Sequence, residues 1–229
     1  MEAKILEIFH SIQGEGQYIG LPQVFVRFFE CNMHCAWCDT PHSIGDTNRN
    51  YTAYSLKEVS DQINSLWANA HAVSLTGGEP LLQTDFLKEL LPVLKKENKL
   101  SYLETNGTLP KQLAEVIDDI DIVAMDIKLP SSTRCRPFWK EHEEFLRIAK
   151  NKDVFIKTVI SSGTDRQDIL DAIDLVTKID PGILFILQPN YFEMKNGAIK
   201  KCLEFQNDCS KKMGNVRIVP QVHKFMKLR

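Results

Sequence analysis

The segment Gln23-Val24-Phe25-Val26-Arg27-Phe28-Phe29-Glu30-Cys31-Asn32-Met33-His34-Cys35-Ala36-Trp37-Cys38 joins an apolar run directly to three closely spaced cysteines. Branched and aromatic residues dominate Gln23 to Phe29, which predicts a strand, because such side chains pack well on a pleated surface. The cysteines follow at once, so they belong to a loop at the end of that strand. Their spacing leaves no room for a helix between them.

Outward from this segment, further strands are predicted at Val73 to Leu75, Leu100 to Glu104, Ile122 to Ile127, Val154 to Val159 and Leu184 to Gln188. Helical periodicity appears at Ser55 to Asn69, where Leu56, Val59, Ile63 and Leu66 share one face, and at Thr84 to Glu97, Leu109 to Ile117, Glu141 to Lys150 and Arg166 to Ile179. The middle of 195–215 predicts one more outer helix. Strands alternating with helices imply parallel strands covered by helices, an α/β sheet closed or partly closed as a barrel. In such folds chemistry gathers where strands end and loops begin. Four strand ends carry polar or glycine-rich residues: Cys31 onward, Thr76-Gly77-Gly78-Glu79-Pro80, Glu104-Thr105-Asn106-Gly107, and Asp126 to Pro130.

With 229 residues, 43% hydrophobic and 25% charged, the chain fits one globular domain with its own core. A formal net charge of −2 sets up no field that would gather polyanions, so direct nucleic-acid binding is not expected. Met1 to Leu6 lacks the basic and apolar regions of an export signal, and no apolar run approaches the roughly 20 residues of a membrane helix. A cytoplasmic location is therefore expected. In that reducing compartment six cysteines, three of them between positions 31 and 38, point to metal or redox chemistry rather than disulfides. Cys135, Cys202 and Cys209 are isolated and read as free thiols.

Three thiolates can clasp one face of an iron–sulfur cluster. A [4Fe–4S] cluster normally takes four cysteines, so three leave one iron open to a chelating amino acid, and S-adenosylmethionine carries the amino and carboxylate groups needed. The other reading of the spacing is a structural zinc site, with His34 or His42 as fourth ligand.

Trp37 before Cys38 completes a CxxxCxΦC pattern that resembles the signature of radical S-adenosylmethionine enzymes. Gly77-Gly78-Glu79-Pro80 is similar to the GGEP motif of that superfamily, whose glycines let the backbone approach the cofactor's methionine amino group. A narrower resemblance rests on Phe9-His10-Ser11-Ile12-Gln13-Gly14-Glu15-Gly16, Arg27, Cys38-Asp39-Thr40 and Glu104-Thr105-Asn106-Gly107. These resemble the 7-carboxy-7-deazaguanine synthase (QueE) family, and Pro220-Gln221-Val222-His223-Lys224 is similar to its C-terminal segment, although this chain continues to Arg229.

The resemblance implies a single-domain, incomplete parallel β/α barrel over 1–229, holding a [4Fe–4S] cluster on Cys31, Cys35 and Cys38, with S-adenosylmethionine and Mg2+. It implies radical ring contraction of 6-carboxy-5,6,7,8-tetrahydropterin to 7-carboxy-7-deazaguanine with loss of ammonia, a step of queuosine biosynthesis begun by hydrogen abstraction at C6. Residue by residue, it implies that Ile12, Gln13, Gly14, Arg27 and Thr76 bind substrate. Trp37, Cys38, Asp39, Gly78, Asp126, Ile127 and Lys128 would bind S-adenosylmethionine, and Thr40 would ligate magnesium. An electron donor such as flavodoxin and a homodimer belong to the same expectation, with Glu104 and Asn106 as weaker site candidates. Two other functions share features of the sequence: a glycyl-radical enzyme activase, which has a similar cysteine triplet but acts on a protein, and a non-catalytic zinc- or cluster-binding module.

Overall fold

In the computed structural model, which describes residues 1–45 and 51–228, the apolar runs become strands and the amphipathic stretches become helices packed outside them. The elements are β1 (Glu2–Ile12), β2 (Pro22–Phe28), β3 (Thr52–Ser55), α1 (Leu56–Leu66), β4 (Ala72–Gly77), α2 (Thr84–Lys96), β5 (Leu100–Thr105), α3 (Pro110–Ala114) and β6 (Ile122–Asp126). They continue with α4 (Pro130–Thr133), α5 (Trp139–Ala149), β7 (Asp153–Ile160), α6 (Arg166–Ile179), β8 (Phe185–Pro189), α7 (Ala198–Cys209), β9 (Val216–Ile218) and α8 (Val222–Met226). Ser55 starts α1 with a capping box: its side chain accepts from the Glu58 amide, and the Glu58 carboxylate accepts from the Ser55 amide at 2.8 Å.

The strands form one sheet in the order β3-β1-β2-β4-β5-β6-β7-β8-β9. Every pair from β2–β4 to β8–β9 is parallel, as expected, whereas β1 runs antiparallel to both β2 and β3. The sheet has two ends, so the barrel is incomplete. Three strands had no sequence expectation. In β1 a register shift between Ile5 and Glu7 interrupts the alternation that marks a strand. β3 and β9 are too short and too exposed to show a period. The predicted helix at 109–117 divides into α3 and a 3-10 turn at Ile117–Asp119.

One apolar cluster lies between the sheet and its helices. A smaller one, with Ala72, Tyr102, Ile122, Ala124, Phe155, Leu184 and Ile186, fills the concave face near the strand starts. Tyr18, from the β1–β2 connection, closes this end; its ring meets Tyr102 edge-on at 5.9 Å and stacks on His71 at 5.0 Å. Gly16 lets that connection enter, because its φ is +72° and a Cβ there would come within 2.5 Å of the Phe155 ring. The cavity among the described residues opens at the strand ends opposite this cluster.

Candidate active site

One step of the alternation above the small apolar cluster, the same strands present polar residues. Arg27 of β2 pairs in register with Thr76 of β4, Asp126 of β6 pairs with Lys157 of β7, and Glu104 and Gln188 end β5 and β8. Together they line a cavity of about 440 Å³ that also contains the three cysteines of the 31–38 loop.

The charges in this layer alternate. Lys128 donates to Asp126 Oδ2 at 2.8 Å, Lys157 lies 4.0 Å from the same oxygen, and Lys157 also pairs with Glu15. Burial alone would lower both lysines, but the carboxylates beside them hold both above the ordinary lysine range. Burial alone would raise Glu15, yet the charge and hydrogen bond of Lys157 and a hydrogen bond from Gln221 bring its pKa down to about 2. Glu104 is oriented by three donors: Thr76 Oγ1 at 2.7 Å, Gln13 Nε2 at 2.8 Å and Ser74 Oγ at 3.4 Å. Arg27 Nε donates to Glu7 at 2.9 Å, and the guanidinium lies 5.7 Å from the Phe9 ring centre.

Cys31, Cys35 and Cys38 are free thiols facing the cavity. Burial pushes the Cys31 thiol up to about 11 and that of Cys35 to about 12, so metal binding would displace protons from them. A tetrahedral zinc ion with 2.3 Å bonds to sulfur draws its ligand atoms to within about 4 Å of one another. Among the described residues, the group of three metal-binding side chains that converges within 4.8 Å is Glu15, Asp39 and His223, which contains no cysteine. The thiols thus stand farther apart than one zinc ion requires, while a cluster binds each cysteine through a different iron.

Gly77 and Gly78 pack directly on the strand that leads into the cysteines. A Cβ on Gly77, whose φ is +124°, would lie 2.2 Å from Phe28 O, and one on Gly78 would lie 1.9 Å from Glu30 O. Thr40 faces the cavity with its Oγ1 3.9 Å from Cys38 Sγ.

Every residue predicted for the site lines this cavity except Ile127. Ile127 lies behind that wall: its side chain is 0% exposed within the apolar core, its amide donates to Lys157 O at 2.9 Å, and its carbonyl accepts from Thr158 Oγ1. Gln13 lines the cavity and is itself held by protein groups. Its side chain bonds to Glu104, Gln23 and the Glu15 amide, and its backbone bonds to Leu21 and Gly20. Its side chain therefore orients Glu104 at the cavity wall. Lys157 and Gln188 had no sequence expectation; the signal was a lone charge within the apolar run VFIKTVI and a polar residue near the end of FILQP. The C-terminal segment closes one wall: Val222 N donates to Gly14 O at 2.9 Å, Gln221 bonds both Glu15 and Asp39, and Lys224 lies 3.4 Å from Asp39.

A sequence profile of the radical SAM superfamily matches residues 26–176. The 7-carboxy-7-deazaguanine synthase of Geobacter sulfurreducens is 39% identical, covering 98% of this chain and 97% of that protein. The chain belongs to the 7-carboxy-7-deazaguanine synthase family. The synthase of Archaeoglobus fulgidus is 35% identical over the whole of both chains. The crystal structure of QueE from Escherichia coli superposes with a TM-score of 0.69, covering 96% of this chain and 94% of that one at 24% identity, and shares the fold. Family membership favours neither the activase nor the zinc-module reading.

As a radical SAM protein, this family member uses a [4Fe–4S] cluster and S-adenosylmethionine, and its residues fit them. Cys31, Cys35 and Cys38 supply three thiolates with none paired in a disulfide. Asp126 Oδ1 and Gln188 Oε1 are buried acceptors in the cavity wall without a protein donor, so hydroxyl or N–H groups of a ligand would satisfy them.

Proposed function

We propose that this chain is a 7-carboxy-7-deazaguanine synthase, contracting the ring of 6-carboxy-5,6,7,8-tetrahydropterin to 7-carboxy-7-deazaguanine with loss of ammonia. The observation that carries the reading is the meeting of Arg27, Thr76, Glu104 and the three cysteines in one cavity, in a chain of this family. When bound, the cluster and S-adenosylmethionine supply a carbon-centred radical that abstracts hydrogen.

The chain's own residues hold the substrate for that step. Arg27 Nε is occupied by Glu7, so its two Nη atoms form the planar fork for the pterin carboxylate. Glu104, oriented by Gln13, Ser74 and Thr76, accepts N–H groups of the ring. Ile12 and Gly14 form the wall beside it, Trp37 to Asp39 and Gly78 face the cofactor, and Asp126 Oδ1 takes one of its donors. Thr40 provides a neutral oxygen to Mg2+, with the Asp39 carboxylate adjacent in sequence, a donor set that magnesium accepts while keeping several waters. An external one-electron donor such as flavodoxin, a homodimer and a cytoplasmic location complete the reading; no described helix is long and apolar enough to cross a membrane.

The test is anaerobic incubation with reductant, S-adenosylmethionine, Mg2+ and the carboxypterin, with products read by mass. Formation of carboxydeazaguanine together with 5′-deoxyadenosine is expected. Cofactor cleavage with no deazapurine product would overturn the substrate assignment.

A further inference from the structure

Asn106 lines the cavity, which would suit a ligand contact, but its hydrogen bonds connect parts of the protein. Its amide donates to Glu79 Oε2 at 2.8 Å, and its carbonyl accepts from His142 Nε2 at 3.1 Å. Its side-chain oxygen accepts from Thr108 Oγ1 at 2.6 Å and from the Thr108 amide at 3.0 Å. Its side-chain nitrogen donates to Asn32 Oδ1 at 2.8 Å, and Asn32 Nδ2 in turn donates to Thr108 Oγ1 at 2.8 Å. Asn32, Asn106 and Thr108 thus close a ring of side-chain hydrogen bonds between the cysteine loop and the end of β5.

The partners of this ring are themselves buried anchors. Glu79 is 0% exposed and holds Thr105 Oγ1 at 2.9 Å and the Leu81 amide at 3.2 Å, while its own amide donates to Glu30 O at 2.8 Å. His142 is fully buried, and burial lowers its pKa to about 4, so the neutral ring serves as a fixed N–H donor to the Asn106 carbonyl. Residues 30–32, 79 and 106 therefore form a triangular frame linking the cysteine loop, the Gly77–Pro80 loop and the end of β5. The far side of the cysteine loop has separate attachments, Ala36 N to Thr133 O and Trp37 Nε1 to Ser132 Oγ, each 2.9 Å. The Asn32 ring is the direct side-chain tie between the Cys31 side and the end of β5, alongside the route through Glu30 and Glu79.

We infer that Asn106 and Asn32 are a paired positioning device that sets the place of Cys31, and so of a bound cluster, relative to the loop that receives S-adenosylmethionine. This inference rests on the synthase reading only for its coupling measurement. Asn32 does not line the cavity, and the residue as a whole is exposed although its amide bonds to buried Asn106 and Thr108. It reports on the frame without touching a ligand.

The experiment compares reconstituted wild type, Asn32→Ala, Asn106→Ala and the double variant. The readouts are the rate of iron release to a chelator, the electron paramagnetic resonance spectrum of the reduced cluster with S-adenosylmethionine, and the ratio of 5′-deoxyadenosine to product. Both single variants are expected to release iron roughly threefold to tenfold faster, near the low end of the roughly 2- to 150-fold span of couplings between hydrogen-bonded residues. They should share one altered spectrum and raise the ratio, with melting temperatures close to wild type. The double variant should be no worse than either single one. If Asn32→Ala is silent while Asn106→Ala is damaged, Asn106 contacts a ligand directly and the inference fails; additive effects in the double variant also overturn it. Absence of product in wild type would count against the synthase reading alone, because iron release and the spectrum still test the frame.

Discussion

Two layers of the concave face are built by the same strands and separated by one pleat. The lower holds Tyr102, Ala124, Phe155 and Ile186 in an apolar cluster. Two residues further along each strand, the upper holds Glu104, Asp126, Lys157 and Gln188 around the cavity. All four strands are strongly buried, yet one layer is core and the other is site. Position along the strand makes the difference: the lower layer is sealed by Tyr18, whereas the upper faces the open end, where a charge can pair with a neighbour or await a ligand.

The strongest way to break this contrast is Lys157→Met, which inserts the lower layer's chemistry into the upper. It leaves Glu15 and Asp126 without the cation between them, and removing one partner of a buried pair costs about 3–5 kcal/mol. Denaturant melts should show that loss, and turnover should disappear. Unchanged stability would mean that the two layers are energetically equivalent.

Arg27→Lys keeps the charge of the upper layer but loses the fork. Loss of a charged hydrogen bond, about 1.5–3 kcal/mol, should raise the Michaelis constant for the carboxypterin roughly tenfold or more. Iron content should remain normal. A constant equal to wild type would make Arg27 a structural partner of Glu7 only.

Phe155→Leu, directly below Lys157 on the same strand, should cost about 1 kcal/mol of stability. Specific activity per folded molecule should stay near wild type, because the lower layer has no ligand to hold. A clear fall in activity without loss of stability would show that the layers are mechanically coupled.

The smallest effect lies in acid. Glu15 has its pKa lowered to about 2 from 4.5, so its stabilising contribution is complete above pH 4.5 and is lost as pH falls toward 2. His142 is lowered to about 4 from 6.5 by burial, so its neutral form adds stability that declines as pH falls from 6.5 toward 4. Burial raises Glu79 to about 7 from 4.5, so its contribution grows as pH falls from 7 toward 4.5 and opposes that of His142. The melting-temperature profile should stay nearly level there and fall through the Glu15 window. In Lys157→Met the Glu15 limb should vanish while the level region above pH 4.5 stays, which isolates the upper layer's electrostatics.

Much of the fold was legible because β2, β4, β5, β6, β7 and β8 are apolar runs with strong periods, alternating with amphipathic helices. β1 was not, since its bulge at Ile5 to Glu7 scrambles the alternation, and β9 is only three residues long. In the site, Cys31, Cys35 and Cys38 are readable because metal ligation demands a residue type and a spacing within one loop. Lys157 is a lone charge in VFIKTVI, and in sequence alone such a residue could equally face solvent.

The sequence by itself determined the chemistry available here: three thiols after one strand, two glycines after the next, and a polar residue closing each of several apolar runs. Only the tertiary structure decided how these groups are used. It turned Gln13 inward to orient Glu104, committed Asn106 to Asn32 and Glu79, withdrew Ile127 into the core, and placed Lys157 between Glu15 and Asp126. The physical reason is that residue type and local spacing are properties of one segment. Hydrogen-bond partners and counter-charges across the barrel come from segments as far apart as Glu15 and Lys157, and they exist only once the sheet has curved to bring them together.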